Sequence, residues 1–163
     1  MSNKIEFLSR RNKGRKLLPD YVSALSEITG VDANVFLNSI LDLESSDRIY
    51  EIYISNIKSI NSGSYTSPFI KASFEKSSQI LAEIQGIAKP ISKNHKFYLI
   101  TKFSDLCGMV EINFDDAISH LDKLIAYDGD SFGLVSADSH TGVMVDMYTE
   151  VNGKILYDFV AYF

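Results

Sequence analysis

Residues 131–163, SFGLVSADSHTGVMVDMYTEVNGKILYDFVAYF, decide the fold class. β-Branched and aromatic residues dominate this stretch, and two turn-forming segments, 138–142 and 152–153, divide it into three runs. Runs of this composition are typical of β-strands, and turns rich in Asp, Ser, Asn and Gly are typical of hairpins. The stretch therefore predicts three consecutive strands.

The dipeptide Asn152-Gly153 predicts the register of the last hairpin. Both residues tolerate a positive φ, which a two-residue type I′ turn requires. In that register Tyr148 lies opposite Tyr157, and Asp146 lies opposite Phe159. One face of the hairpin then combines tyrosines with carboxylates, and the other, mostly apolar, face packs on the core.

Upstream of the strands, the spacing of apolar residues is helical from residue 17 onward. One helix ends at Gly30, and Asp32 caps a second helix. Ser46 is a candidate cap for a third helix, whose sequence is also rich in strand-forming residues. A longer helix is predicted from Ser67-Pro68 to Pro90.

Residues 96–163 have a different pattern, in which strands predominate. Two strands are predicted at 96–102 and 107–114, followed by a helix that Asn113 caps and that ends at Asp128-Gly129-Asp130. The predicted fold is α+β: a helical N-terminal half packed on an antiparallel or mixed sheet of about five strands, with one inserted helix. Residues 1–163 are predicted to form a single domain, with a basic tail (1–16), a helical part (17–90) and a sheet part (96–163).

Composition and cysteine content indicate a soluble protein of a reducing compartment. The chain has 163 residues, 45% of them hydrophobic, which is enough for one domain with a core of its own. Its one cysteine, Cys107, excludes an internal disulfide. The N-terminus has no signal-peptide pattern, and no window has the length of a membrane span. We therefore expect a cytoplasmic protein that does not bind membranes.

The net charge of −5 is distributed unevenly along the chain. Residues 1–16 carry a net charge of +5, and we expect them to form a solvated, partly disordered tail. Residues 104–163 contain eleven acids and two bases, a net charge of −9. Such an acidic segment repels nucleic acid and attracts basic partners.

The sequence lacks the motifs that identify common classes of enzyme. The sequence has no P-loop, no G-x-S-x-G, no H-E-x-x-H and no dinucleotide-binding fingerprint, and no cofactor is predicted. The acidic cluster Asp128, Asp130, Asp138, His140 and Asp146 contains ligand types that suit a hard divalent ion. The same residues are also typical of the turns in which they occur.

Tyrosines surrounded by carboxylates are better suited to docking a basic protein. The rings provide rigid apolar area, and the acids pair with Lys or Arg and accelerate encounter. The predicted partner-binding residues are Asp128, Asp130, Asp138, Asp146, Tyr148, Glu150, Tyr157 and Asp158.

The segment LDKLIAYDGDSFGLVSADSHTGVMVDMYTEVNGKILYDFVAYF (121–163) resembles the helix and short acidic strands of bacterial immunity proteins. These proteins are encoded beside contact-dependent growth inhibition toxins or related polymorphic toxins, and the resemblance covers roughly residues 95–163. It implies a cytoplasmic protein that binds one toxin domain tightly and blocks its active site. Many such toxins are nucleases with basic clefts, so the resemblance also implies a basic partner. The basic segment 1–16 would then lie away from the interface.

Two other functions remain open from the sequence. One is a small metal-assisted hydrolase or transferase that uses Asp128, Asp130, Asp138 and His140. The other is a regulatory adaptor or homodimer that adds a strand at the edge of the C-terminal hairpin. The sequence does not distinguish a monomer from a dimer.

Overall fold

The C-terminal strands lie in the middle of a six-stranded antiparallel sheet. The computed structural model describes residues 2–91 and 96–163. The helices in these residues are α1 (Ser2–Thr29), α2 (Ala33–Ser39), α3 (Leu43–Ser62), α4 (Ser77–Ile91), α5 (Ser104–Cys107), α6 (Phe114–Ser119) and α7 (Leu121–Asp128). The strands are β1 (Phe69–Phe74), β2 (Phe97–Ile100), β3 (Val110–Ile112), β4 (Ser131–Ser136), β5 (Gly142–Thr149) and β6 (Ile155–Tyr162). The predicted α+β class is confirmed, with one strand more than expected.

The strand order is β1-β6-β5-β4-β2-β3. The edges are therefore β1 and β3, and the strands of the C-terminal hairpin are paired on both sides over most of their length. Pairing with β4 ends at Asp146, and pairing with β1 ends at Tyr157. The tip of the hairpin, residues 148–156, thus extends beyond both neighbouring strands. Strand addition at a hairpin edge, as in the predicted adaptor or homodimer, stays a prediction, and this tip is the part of the hairpin that neither neighbouring strand pairs with.

The predicted register of the hairpin is wrong by one residue. Tyr148 lies opposite Leu156, and Asp146 lies opposite Asp158. The loop has three residues, because the Gly153 N–H donates to the Glu150 carbonyl (2.8 Å) and Gly153 has a φ of 84°. This is the three-residue hairpin with a left-handed glycine, and a one-residue slip transfers every side chain of one strand to the other face.

The two faces of the sheet pack against different helices. One face, which includes Val145 and Phe159, buries its side chains against α1, α2, α4, α6 and α7, and we call it the broad-core face. The other face, which includes Met144, Val160 and Tyr162, packs against α3 and is called the α3 face. Alternate residues of each strand point to opposite faces, so both sets are interleaved in the sequence.

The basic N-terminal segment is helical, which contradicts the prediction of a disordered tail. It forms the first half of α1, which continues to the predicted end at Gly30. Gly14 packs against α5 so closely that an added Cβ would lie 1.7 Å from the Leu106 carbonyl oxygen. Arg10 contacts the Asp47 carboxylate in α3 at 2.6 Å. These contacts hold the basic segment against α5 and α3, although its composition alone predicts a solvated segment.

Residues 69–74 form a strand and not the start of a helix. Ile70 and Phe74 have helical spacing, but pairing of this segment with β6 determines its conformation. The helix starts later, at Ser77. In α3 the cap is Asp42, not Ser46, because the Asp42 carboxylate accepts from the Ser45 N–H at 2.8 Å.

Two further predictions concern local structure. The Asp32 carboxylate accepts from the Asn34 N–H at 2.8 Å, which confirms Asp32 as the cap of the second helix. The single helix predicted after Asn113 is wrong, because His120 divides it into α6 and α7. Over the described ranges, no helix combines the length and the apolar character that a membrane span needs.

Candidate functional site

A row of polar side chains crosses four strands of the α3 face. Ser73 in β1 pairs with Asp158 in β6, Asp158 pairs with Asp146 in β5, and Asp146 pairs with Ser131 at the start of β4. Cross-strand partners point to the same face, and neighbouring strands are about 4.8 Å apart, so the row is roughly 14 Å long. Asp128 extends it, since its carboxylate accepts from the Ser131 hydroxyl at 2.6 Å. We call these five residues the acidic row.

Two of the three carboxylates in the acidic row have donors within the protein. The Ser73 hydroxyl donates to Asp158. The Lys102 backbone N–H and the Ser131 hydroxyl donate to the two oxygens of Asp128. Asp146 has no hydrogen-bond donor in the described part of the chain. Partial desolvation, followed by the charges of Asp158 and Asp128, raises the pKa of Asp146 above its ordinary value.

Two cavities, each of about 500 Å³, meet at the acidic row. The first lies between α3 and the β2-β4-β5 part of the sheet, with Tyr50 and Tyr53 in its wall. The second extends over β6 and β1 to Asp158 and Ser73. Both are lined by Met144 and Asp146, so the two cavities are adjacent, and we call them together the acidic groove.

Close packing between α3 and the sheet determines the depth of the first cavity. A Cβ on Gly133 would lie 2.9 Å from Cβ of Ile100 and 3.2 Å from the Tyr53 hydroxyl oxygen. The Tyr53 hydroxyl donates to the Val143 carbonyl at 3.2 Å, which ties α3 to β5. Glycine at position 133 therefore lets α3 approach the sheet closely beside the open row.

Negative charge predominates in the acidic groove. Among the described residues that line it, the charged side chains are Asp47, Asp105, Asp128, Asp146, Asp158, Lys71 and Lys102. Arg10 neutralises Asp47 from outside the groove. The Lys102 ammonium lies over the rings of Phe103 and Tyr127, 5.3 and 5.4 Å from their centroids. Lys71 lines the second cavity without forming an ion pair, so Asp146 lies beside other carboxylates and has no ion-pair partner in the described part of the chain.

The structure brings together five of the eight predicted partner-binding residues. Asp128, Asp146 and Asp158 lie in the acidic row, and Tyr148 and Glu150 follow toward the tip of the hairpin. Asp158 is two residues from Leu156, the cross-strand partner of Tyr148, and Glu150 follows Tyr148 by two residues. Partial desolvation, followed by the charges of Asp158 and Glu150, raises the pKa of Tyr148.

The other three predicted residues lie elsewhere. Tyr157 points to the broad-core face and is half-buried against the main core. Asp130 is exposed in the turn after α7. Asp138 follows the opposite end of β4, where its carboxylate accepts from the Ser136 hydroxyl and the His140 N–H. The one-residue error in register explains the misplacement of Tyr157.

The residues of the predicted metal cluster are separated by the length of β4. Asp128 and Asp130 precede this strand, and Asp138 and His140 follow it, so six residues place the pairs roughly 17 Å apart. In the ranges 2–91 and 96–163, no three His, Cys, Asp or Glu side chains are placed to hold a metal ion together. His95 lies outside these ranges.

Sequence reasoning missed Ser73, Ser131 and Tyr50. Ser73 lies in the segment that was assigned to a helix, and only its pairing with β6 shows its place in the row. Ser131 precedes a predicted strand, and its partner Asp146 follows from the correct register. Tyr50 is 45% exposed on α3, and its helical spacing alone does not indicate that it faces the sheet.

Comparison with protein-family models, characterised proteins and solved structures found no match to this chain. The fold and the groove define an α+β protein with an acidic groove on one face of its sheet.

Proposed function

We propose that this chain is a non-enzymatic binding protein that neutralises a basic partner protein through the acidic groove. The specific form that we propose is an immunity protein. Its partner is a toxin domain, and we propose that this toxin is a nuclease with a basic cleft. This form follows from the resemblance of residues 95–163 to immunity proteins, whereas the acidic groove supports the more general activity.

The position of Asp146 carries the proposal. Like charges directly opposite each other on a sheet are destabilising, and Asp146 lies opposite Asp158 with no donor in the described residues. Serine or threonine at either position would keep the face polar without this repulsion. A cation supplied by a partner would convert the repulsion into attraction, so the arrangement is favourable in a complex.

Exposed apolar side chains lie on both sides of the acidic row. Tyr50 of α3 is 45% exposed and Tyr148 of β5 is 41% exposed. Val151 is fully exposed at the tip of the hairpin. Rigid rings beside charged groups are typical of the energetically dominant residues of interfaces. The groove thus offers both the charge and the apolar area that a protein partner requires.

The basic half of α1 was expected to lie away from the interface. Arg10 instead contacts Asp47, which lines the groove. That contact leaves the acidic row itself as the main negative surface for the partner. We therefore propose that the interface is centred on Asp146 and Asp158 rather than on the acids of α3.

The test is affinity capture of a basic protein by charge-reversed variants. Tagged wild-type protein and the double variant Asp146→Lys/Asp158→Lys are incubated with lysate of the native cell and washed at low and high salt. Bound proteins are identified by mass spectrometry. We expect one stoichiometric basic protein that wild type retains, that high salt weakens, and that the double variant loses.

The matched control is Glu27→Lys/Glu83→Lys, which changes the charge by the same amount. Both glutamates are exposed, on α1 and α4, the helices that pack on the broad-core face. This variant should retain the basic protein. Equal retention by both double variants would place the interface elsewhere and contradict the proposal, and so would capture of an acidic protein only.

A further inference from the structure

The first cavity of the acidic groove has walls of two chemical kinds. Carboxylates of Asp146 and Asp128 lie at one side, and the rings of Tyr50 and Tyr53 lie at the other. The two ring centroids are 6.4 Å apart, and Ile100, Gly133 and Met144 line the cavity on the side of the sheet. A group that fits here must be cationic at one end and able to contact aromatic and aliphatic surface along its length.

A metal ion fits this cavity poorly. The carboxylates that line it do not converge on one point in the described chain, and the remaining walls are aromatic or aliphatic. Hard divalent ions prefer clustered oxygen ligands, and aromatic or aliphatic walls offer none. Such walls suit an organic cation better, because its apolar part can contact them.

Of the two basic side chains, arginine fits the cavity better than lysine. A guanidinium group is planar, donates two parallel hydrogen bonds to a carboxylate and stacks on aromatic rings. An ammonium group is a compact and strongly hydrated charge, for which a half-apolar cavity is costly. The exposed ring of Tyr50 and the unpaired carboxylate of Asp146 match the two requirements of arginine.

We propose that the cavity between α3 and β5 takes the side chain of an arginine of the partner protein, with Asp146 as its principal carboxylate and Tyr50 as its stacking ring. This inference rests on the proposed function, because the partner supplies the arginine. Asp128 contributes a second negative charge, while its oxygens remain held by Ser131 and Lys102. The aliphatic part of the arginine lies against Met144 on the sheet.

The test uses a single arginine and does not require the partner. Nα-acetyl-arginine N-methylamide is titrated into the isotope-labelled full chain, and amide chemical shifts are followed by NMR. We expect saturable shifts in the millimolar range at Gly133, Met144 and Asp146. The acetyl-lysine N-methylamide should bind several-fold more weakly, and the neutral citrulline analogue should give no saturable shifts.

Variants identify the contributing side chains. Asp146→Asn should weaken binding of the arginine probe roughly tenfold or more, which is the effect of losing one charge-assisted pair of about 1.4 kcal/mol or more. Tyr50→Ala should weaken it several-fold, and Tyr50→Phe should bind as wild type does, because the ring and not the hydroxyl makes the contact. Asp130→Asn, an exposed acid outside the groove, should leave binding unchanged.

Each contrary outcome has its own meaning. Equal binding of the citrulline analogue, or no saturable shift with the arginine probe, overturns the inference. Equal binding of the lysine analogue overturns the choice of arginine. If the arginine probe fails while the Asp146→Lys/Asp158→Lys variant still loses a captured basic protein, the inference fails and the proposed function stands. If the probe binds as expected and no basic protein is captured, the proposed function fails instead.

Discussion

The α3 face of the sheet has two halves that differ sharply although the same strands, β5 and β6, form both. Under α3, the side chains are Met144, Val160 and Tyr162. Beyond α3, alternate residues of the same strands are Asp146, Asp158 and Tyr148. The half that a helix covers is apolar, and the open half has a tyrosine and two facing carboxylates. Burial under α3 explains why the first half is apolar. Exposure to solvent does not by itself explain why two acids lie opposite each other in the open half.

The prediction with the largest expected effect compares two tyrosines at opposite ends of the α3 face. Tyr162 is fully buried, with ring centroids 5.9 Å from Tyr65 and 6.5 Å from Tyr53. Tyr162→Ala should lower the free energy of unfolding by about 3–5 kcal/mol, as removal of a buried aromatic ring does. Chemical denaturation followed by circular dichroism measures this change.

Tyr148→Ala is the matched control on the open half. Its side chain is 41% exposed, so the free energy of unfolding should stay nearly the same while capture of the basic partner declines. A large loss of stability from Tyr148→Ala would show that the open half is covered in solution. A small loss from Tyr162→Ala would show that α3 does not cover the other half.

The second test weakens the packing of α3 against the sheet. The Ser46 hydroxyl of α3 accepts from the buried Met109 N–H at 2.9 Å. Ser46→Ala leaves that N–H without its acceptor, which should cost about 1–3 kcal/mol of unfolding free energy. Faster hydrogen exchange at Met109 should accompany the loss.

Ser55→Ala is the control for this change in the same helix. Ser55 is exposed on α3, and alanine has the higher helix propensity, so stability should be unchanged or slightly higher. If both serine variants behave alike, the contact of Ser46 with Met109 does not hold α3 against the sheet. Reduced binding of the arginine probe by Ser46→Ala would add that the position of α3 shapes the cavity.

Elements defined by local signals could be predicted from the sequence. The Asp32 cap, the end of α1 at Gly30 and the strands of the C-terminal run depend on residues close together in the chain. Residues 69–74 could not be predicted in this way, because β6, almost ninety residues later, determines their conformation. The N-terminal half of α1 likewise depends on distant contacts, those of Gly14 with α5 and of Arg10 with α3.

The chemistry of the candidate site was predictable, but its geometry was not. Asp128, Asp146 and Asp158 were chosen as acids near tyrosines, and all three lie in the acidic row. The predicted register put Asp146 and Asp158 on opposite faces, whereas the observed register makes them direct neighbours. The loop makes this difference: it has three residues, 151–153, and Asn152 lacks the positive φ that the predicted two-residue turn requires. Ser73 and Tyr50 needed the tertiary structure, because nothing local connects them to the hairpin.

The prediction with the smallest expected effect concerns the unfavourable pair of Asp146 and Asp158. Desolvation and the neighbouring acids raise the pKa of Asp146, so the folded chain binds this proton more tightly than the unfolded chain. Stability is therefore lost as the pH rises through the interval between the unfolded and folded pKa values. Asp146→Asn removes the loss, and near pH 7 it should stabilise the protein by roughly 0.2–0.5 kcal/mol, since solvent screens the pair.

Chemical denaturation of Asp146→Asn and of wild type from pH 3 to pH 7 measures how the difference in their free energies of unfolding depends on pH. The stabilisation should be largest near neutral pH and should approach zero near about pH 3, where the aspartate of wild type is mostly protonated in both states. A variant that is less stable than wild type at pH 7 would mean that Asp146 has a favourable partner within the chain. A gain in stability together with weaker binding of the arginine probe would show that the pair is retained for a ligand.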